Sequence, residues 1–299
     1  MSIALVLLPD FLLIVAGALL ARLRAFDSVF WAGAERLVYF VLFPALLFRS
    51  LASGAAAIVD PLPLVATGLA FTLSGIALSL LVRPLIRLPE GEFAACFQCG
   101  FRFNTYLALA VADRLQGTRG LAAITLLVGV LVPLVNVAAV GMLARDGKGR
   151  LLPALARNPL VLACAAGLGW AASGWPLPEV PSRVLGELGG AALALGLLTV
   201  GAALRIERGG LPLPAVVYWT TLKLIVVPAC AVVAGRSFGL PGPMLQLALV
   251  MAAVPTAPSA YVLATQMGGK GRPVAFLITI GTLAAALTLP AWLASIDAR

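Results

Sequence analysis

The chain contains no histidine. That absence removes Ser-His catalytic pairs, HExxH zinc sites and the side chain that ordinarily switches charge near neutral pH. Charge is scarce as well: Asp, Glu, Lys and Arg make up 11% of the 299 residues, against about 25% in soluble domains. A soluble fold of this length would need a core far larger than so little polar surface can cover. Cysteine is rare, with four residues. Cys96 and Cys99 form a C-x-x-C, but they sit inside an apolar run, far from any thioredoxin-like context, and read as small buried hydrophobes rather than a redox or metal pair. No cofactor or metal is expected, and no nucleophile stands beside a base, so an intramembrane enzyme is poorly supported.

What the chain has is apolar sequence. Hydrophobic residues make up 62% and the mean hydropathy is +1.06, which identifies an all-α integral membrane protein in a lipid bilayer. About ten segments approach the roughly 20 residues that span a hydrocarbon core. They lie at 3–21, 29–51, 62–82, 92–114, 120–144, 158–174, 183–204, 214–234, 243–267 and 273–296. The first lacks the basic leader of a cleaved signal peptide, since Arg22 and Arg24 follow it.

The net charge of +9 is scattered over short loops and forms no stripe that tracks phosphates, so nucleic acid is not an expected partner. Its distribution reports topology instead. Loops after odd-numbered segments carry Arg22, Arg24, Arg83, Arg87, Arg145, Lys148, Arg150, Arg157, Arg205, Arg208, Lys270 and Arg272. The opposite side has Arg49, Arg114, Arg119, Arg183, Arg236 and Arg299. Twelve against six predicts cytoplasmic odd loops and both termini outside. The most basic loop, Arg145 to Arg157, falls midway. It divides the chain into repeats at 1–150 and 151–299, each with five segments. Because five is odd, the halves cross in opposite senses, which predicts an inverted repeat. The glycines of the seventh segment, Gly186, Gly189, Gly190, Gly196 and Gly201, predict close helix packing.

Two segments are interrupted. Gly100-Phe101-Arg102-Phe103-Asn104-Thr105-Tyr106 breaks the fourth, and Pro255-Thr256-Ala257-Pro258-Ser259-Ala260-Tyr261 breaks the ninth, at an offset of 155 residues. Paired broken helices are the strongest sequence pointer to a transporter's binding site. Pro255 and Pro258 each remove a donor and predict unwinding near Ala257. At the first interruption Gly100 loosens the helix, and Asn104 and Thr105 offer hydrogen bonds in place of helical ones. Half-helices starting at Asn104 and Ser259 would turn two positive dipole ends toward one point, a site suited to a carboxylate. Arg102 meets an anionic substrate, pairs with an acid, or snorkels to an interface. Lys223 takes either a structural partner, such as an acid or a carbonyl, or the substrate. Asn136 is a further cavity-lining candidate, and Tyr106 and Tyr261 are candidate walls. Asp10, Glu35 and Glu187 lie within segments and Asp113 near an end. Proton or sodium coupling stays unassigned among them, with Glu187 the most ambiguous.

Several stretches together resemble the auxin efflux carrier family of membrane transporters, including its bacterial malate and malonate permease-like branch. They are Arg102-x-Asn104 leading into Tyr106, Asn158-Pro159-Leu160, Gly201-Ala202 before Leu204, Lys223 leading to Pro228, and Pro255 followed by Ser259-Ala260-Tyr261-Val262-Leu263-Ala264. The resemblance covers nearly the whole chain. It implies a ten-helix inverted repeat with helices 4 and 9 broken and crossing at mid-membrane. It also implies scaffold helices 1, 2, 6 and 7, often dimeric, and transport helices 3–5 and 8–10. The implied substrate is a small organic anion carried by elevator-type alternating access, and the implied assembly is a homodimer. Phe103 stands where plant members have proline, and the central loop is short, so auxin specificity and phosphoregulation are not implied. A ligand-binding membrane sensor or scaffold that does not translocate is the alternative.

Overall fold

A computed structural model of the chain describes residues 3–54, 60–143, 158–205 and 210–297. Arg145, Lys148, Arg150, Arg157, Arg208 and Arg299, which weigh in the charge count, lie outside the described residues. Regular structure among the described residues is helical throughout, as lipid requires of an open chain whose backbone groups must be satisfied within each segment. Six stretches are long and apolar enough to cross a membrane: Ser28–Gly54, Leu62–Leu85, Glu90–Leu143, Glu179–Ala202, Leu213–Ser237 and Gly271–Ile296. Ala4–Leu20, Pro159–Ala172 and Gly242–Ala253 are apolar but shorter. This is a multi-pass membrane protein.

In chain order the helices are α1 (Ile3–Leu20), α2 (Ser28–Gly54) and α3 (Leu62–Leu80). Then come α4 (Glu90–Cys96, tightened to a 3-10 turn over Phe97–Gly100), α5 (105–116) and α6 (118–143). The second half has α7 (Pro159–Ala172), α8 (Glu179–Ala202), α9 (Leu213–Ser237), α10 (Gly242–Ala253), α11 (Ser259–Gln266) and α12 (Gly271–Asp297). Gly117, at φ 54°, separates α5 from α6. The segments predicted at 92–114 and 243–267 are therefore each two helices, α4 with α5 and α10 with α11.

Local chemistry explains several of these boundaries. Asp27 caps α2 by accepting from the Phe30 N–H at 2.8 Å. Asn158 caps α7, accepting from the Leu160 and Val161 N–H groups at 3.0 and 3.4 Å. Pro159 then fills a first-turn position where no N–H is needed. Inside α2 and α9 a proline is accommodated by one widened turn, over Val38–Leu42 before Pro44 and over Leu222–Val226 before Pro228. There the Phe43 and Val227 N–H groups reach back five residues, to the Val38 and Leu222 carbonyls.

The helices gather into two compact units. One holds α1, α2, α5, α6 up to Val132, α7 and α8. Its helices approach closely, because a Cβ at Gly201 of α8 would collide with the Ile14 carbonyl of α1, and one at Gly17 with the Leu198 carbonyl. Gly189 faces Leu46 and Gly196 faces Phe43 in the same way. Asp10, a buried acid of α1, accepts from Arg114 Nε at 2.8 and 2.9 Å through its two oxygens. Its charge is thus neutralised by α5, and Arg114 is committed to a pair rather than to a loop.

The other unit holds α3, α4, α6 from Pro133, and α9 to α12. Tyr218 Oη of α9 donates to the Leu78 carbonyl of α3 at 2.7 Å. Pro228 cannot donate to the Leu224 carbonyl one turn back, and Trp292 of α12 does so instead, its Nε1 lying 2.9 Å from that oxygen. Trp292 is thus a helix-to-helix tie.

Candidate functional site

Both interruptions belong to the second unit. Their unwound stretches, 101–104 and 254–257, meet through the backbone: the Asn104 N–H donates to the Pro255 carbonyl at 2.8 Å. Thr256 Oγ1 donates to the Cys99 carbonyl at 2.8 Å, and Gln98 Nε2 donates to the Ala260 carbonyl at 3.0 Å. Groups freed by one break are thus satisfied by the other, which is how non-helical backbone survives away from water.

The second break starts one residue before its first proline. Val254 is extended, at φ −62° and ψ 146°, because a residue preceding proline is disfavoured in the helical region. The helix resumes at Ser259, with Pro258 in a helical conformation before it. At the first break a Cβ on Gly100 would strike Ser79 Oγ and press on Leu222, so only glycine fits there as placed. Phe101 then departs from the helix at φ −135° and ψ −19°.

Arg102 is 8% exposed. Its Nη1 donates to Gln98 Oε1 and its Nη2 to Asn136 Oδ1, each at 2.9 Å. Gln98 is fully buried and spends its own amide N–H groups on the Ala95 and Ala260 carbonyls, at 3.2 and 3.0 Å. It therefore links α4, α11 and the guanidinium. Lys223 of α9 is 3% exposed, and its ammonium donates to the Ala252 carbonyl at 2.6 Å. Of the structural partners considered for it, an acid or a carbonyl, the carbonyl is the one present. Among the described residues the buried charged side chains are Asp10, Arg102 and Lys223. The acid is in the first unit and paired, so the buried charge of the unit carrying the breaks is positive.

The sequence-derived candidates divide accordingly. Arg102, Asn104, Asn136 and Pro255 join the network around the two breaks. Pro258 and the half-buried Tyr261 open α11, where Ser259 is exposed. Thr105 starts α5 and is half-buried. Tyr106 falls in the first unit, its ring 4.3 Å from that of Phe43. Glu187 is exposed on α8, in that same unit. Gln98 and Thr256 are additions. A lone amide at position 98 inside an apolar run was the available signal for the first, since polar groups in membrane segments are costly without a task.

Outside comparisons add two findings. A family described as "Membrane transport protein" matches residues 148–293. "Probable auxin efflux carrier component 5b" of Oryza sativa subsp. japonica is 28% identical over 137 residues, which cover 44% of this chain and 37% of the relative. The family match takes in the second break and Lys223, whereas the first break precedes it. The alignment spans well under half of that relative's length.

Proposed function

We propose that the chain, which is similar over residues 148–293 to a family of membrane transport proteins and over 137 residues to an auxin efflux carrier component, is a secondary transporter of a small organic anion. The substrate class is a mono- or dicarboxylate, such as malate or malonate, or an auxin-like acid. One observation carries this reading: the unwound stretches of two broken helices are stitched together within one unit, beside two buried cations, Arg102 and Lys223. A buried positive interior favours an anion over a cation or neutral solute. Arg102, held by two neutral amides, supplies charge without reorganising. Asn104 closes the first unwound stretch, and Ser259 sets where α11 begins, a first turn whose N–H groups suit a carboxylate. Tyr261 and Asn136 line the same region.

The movement proposed is elevator-type alternating access in a ten-span, 5+5 inverted repeat. Helices α1, α2, α7 and α8 form a dimeric scaffold, and α3 to α6 with α9 to α12 carry the substrate. The membrane is a bacterial-type inner membrane with both termini outside. Counterflow of radiolabelled malate or malonate in proteoliposomes tests the proposal. Wild type accumulates label against internal unlabelled substrate, and Asn104→Ala abolishes that accumulation while remaining folded by thermal unfolding. A protein that binds the acid but shows no counterflow is a sensor; full counterflow in Asn104→Ala removes the site from the first break.

A further inference from the structure

We propose that Lys223 is a tethered cation built into the second break, its ammonium standing where an alkali metal ion would otherwise satisfy the C-terminal end of α10. The last carbonyls of a helix have no partner within it and carry the negative end of its dipole. Interrupted membrane helices commonly leave such carbonyls to a sodium ion or a proton. At α10 the Val254 N–H still reaches the Val250 carbonyl, at 3.1 Å, but Val254 then turns extended and the helical ladder ends. The Ala252 carbonyl beyond that point receives Lys223 Nζ at 2.6 Å.

Three further observations favour a fixed cation over an incidental contact. Among the described residues, Ala252 is the hydrogen-bond partner of this ammonium and no carboxylate pairs with it. Glu90 and Glu92, acids of the same unit, are engaged by Arg83 and Lys270, at 3.2 and 2.8 Å. Neighbouring ties hold Lys223 at its level: Tyr218 Oη to the Leu78 carbonyl, and Trp292 Nε1 to the Leu224 carbonyl. The widened turn over Leu222–Val226 contains the lysine itself. A single positive charge on a helix-end carbonyl, without a carboxylate, is the electrostatic equivalent of a monovalent metal ion. Its consequence for transport, which rests on the proposed function, is that the substrate binds without sodium.

Thermal unfolding of the purified, substrate-free protein tests this in sodium chloride, lithium chloride and N-methyl-D-glucamine chloride at equal ionic strength. Wild type is expected to unfold within about 1 °C in all three, because bound ions raise apparent stability only where a site exists. Lys223→Met is expected to lose about 5 °C in N-methyl-D-glucamine and to regain part of it in sodium or lithium. Lys223→Gln, which keeps a donor but no charge, should behave like Lys223→Met. A wild-type midpoint that rises with sodium would overturn the proposal. So would a Lys223→Gln variant as stable as wild type, or a Lys223→Met loss that neither small cation restores. If both variants fail to fold, the wild-type salt series still decides. The readout involves no transport, so a negative counterflow result leaves this inference standing, and its own failure leaves the transporter standing.

Discussion

Pro255 ends α10 by forcing Val254 to ψ 146°, whereas no proline lies within the first interruption, where α4 tightens through Phe97–Gly100 and leaves the helix at Phe101. The second break is written into the covalent chain. It holds whatever surrounds it, and its exposed carbonyl end is met by Lys223. The first break depends on partners: Gly100 must fit against Ser79, and Gln98 and Asn136 must hold Arg102. A break that depends on side chains can respond to what binds beside it. In this molecule the conditional break is also the one whose own residues include a buried charge, Arg102.

The strongest way to break that contrast is to remove the charge. Arg102→Met keeps an unbranched apolar stem but removes the guanidinium, leaving Gln98 Oε1 and Asn136 Oδ1 without that donor, a loss of about 1–3 kcal/mol for an unsatisfied buried acceptor. Counterflow is expected to fall about a hundredfold, because the anion loses its opposite charge in a water-poor site. Arg102→Lys should recover little, since an ammonium cannot reproduce the planar fork between two amides. Substrate counterflow at the wild-type rate in Arg102→Met would mean that the first break does not sense charge.

Next in size is the fit at Gly100. Gly100→Ala drives a methyl group into Ser79 Oγ and against Leu222, which should cost about 1–3 kcal/mol as overpacking. Ser79 Oγ is buried without a hydrogen-bond partner among the described residues, so Ser79→Ala alone should be close to neutral. The double variant should then regain most of the stability. Thermal unfolding of the four proteins closes this cycle. An additive result would show that the first break is not held by that contact.

The positions of both breaks were legible in the sequence because glycine, proline and amides are conspicuous in apolar runs. Asn158-Pro159 was legible as a stretch and turns out to be a helix cap followed by a first-turn proline. The network at the breaks was not. Gln98 lies 162 residues from the carbonyl of Ala260 that it bonds, and no local pattern announces such a partner. The carbonyl partner of Lys223 was one of two structural alternatives, and only packing chose between them. Tyr106 shows the opposite limit. It sits beside Asn104 and Thr105 in sequence, yet the chain passes from one compact unit to the other between Thr105 and Tyr106. Adjacency along the chain therefore does not decide which unit a residue packs in. The widened turns in α2 and α9 were hidden as well, because a proline in a helix is read only as a kink or a stop until the carbonyl it abandons is found.

The smallest effect separates the two prolines of the second break. Pro258 precedes α11 at φ −55° and ψ −29°, angles that alanine adopts without strain. Its carbonyl accepts from the Tyr261 and Val262 N–H groups at 2.9 and 3.4 Å, bonds that an alanine carbonyl makes equally well. Pro258→Ala therefore loses chiefly the entropic advantage of a restricted unfolded chain, about 0.4–1 kcal/mol. Pro255→Ala also lifts the constraint that keeps Val254 out of the helix, so α10 can grow into the break at the expense of the Asn104 N–H to Pro255 carbonyl bond. Its loss should be the larger of the two, and hydrogen exchange should show it as altered protection at Val254 and Asn104. If thermal unfolding ranks the two variants the other way, the break originates at Pro258. The second interruption would then depend on its surroundings as much as the first does.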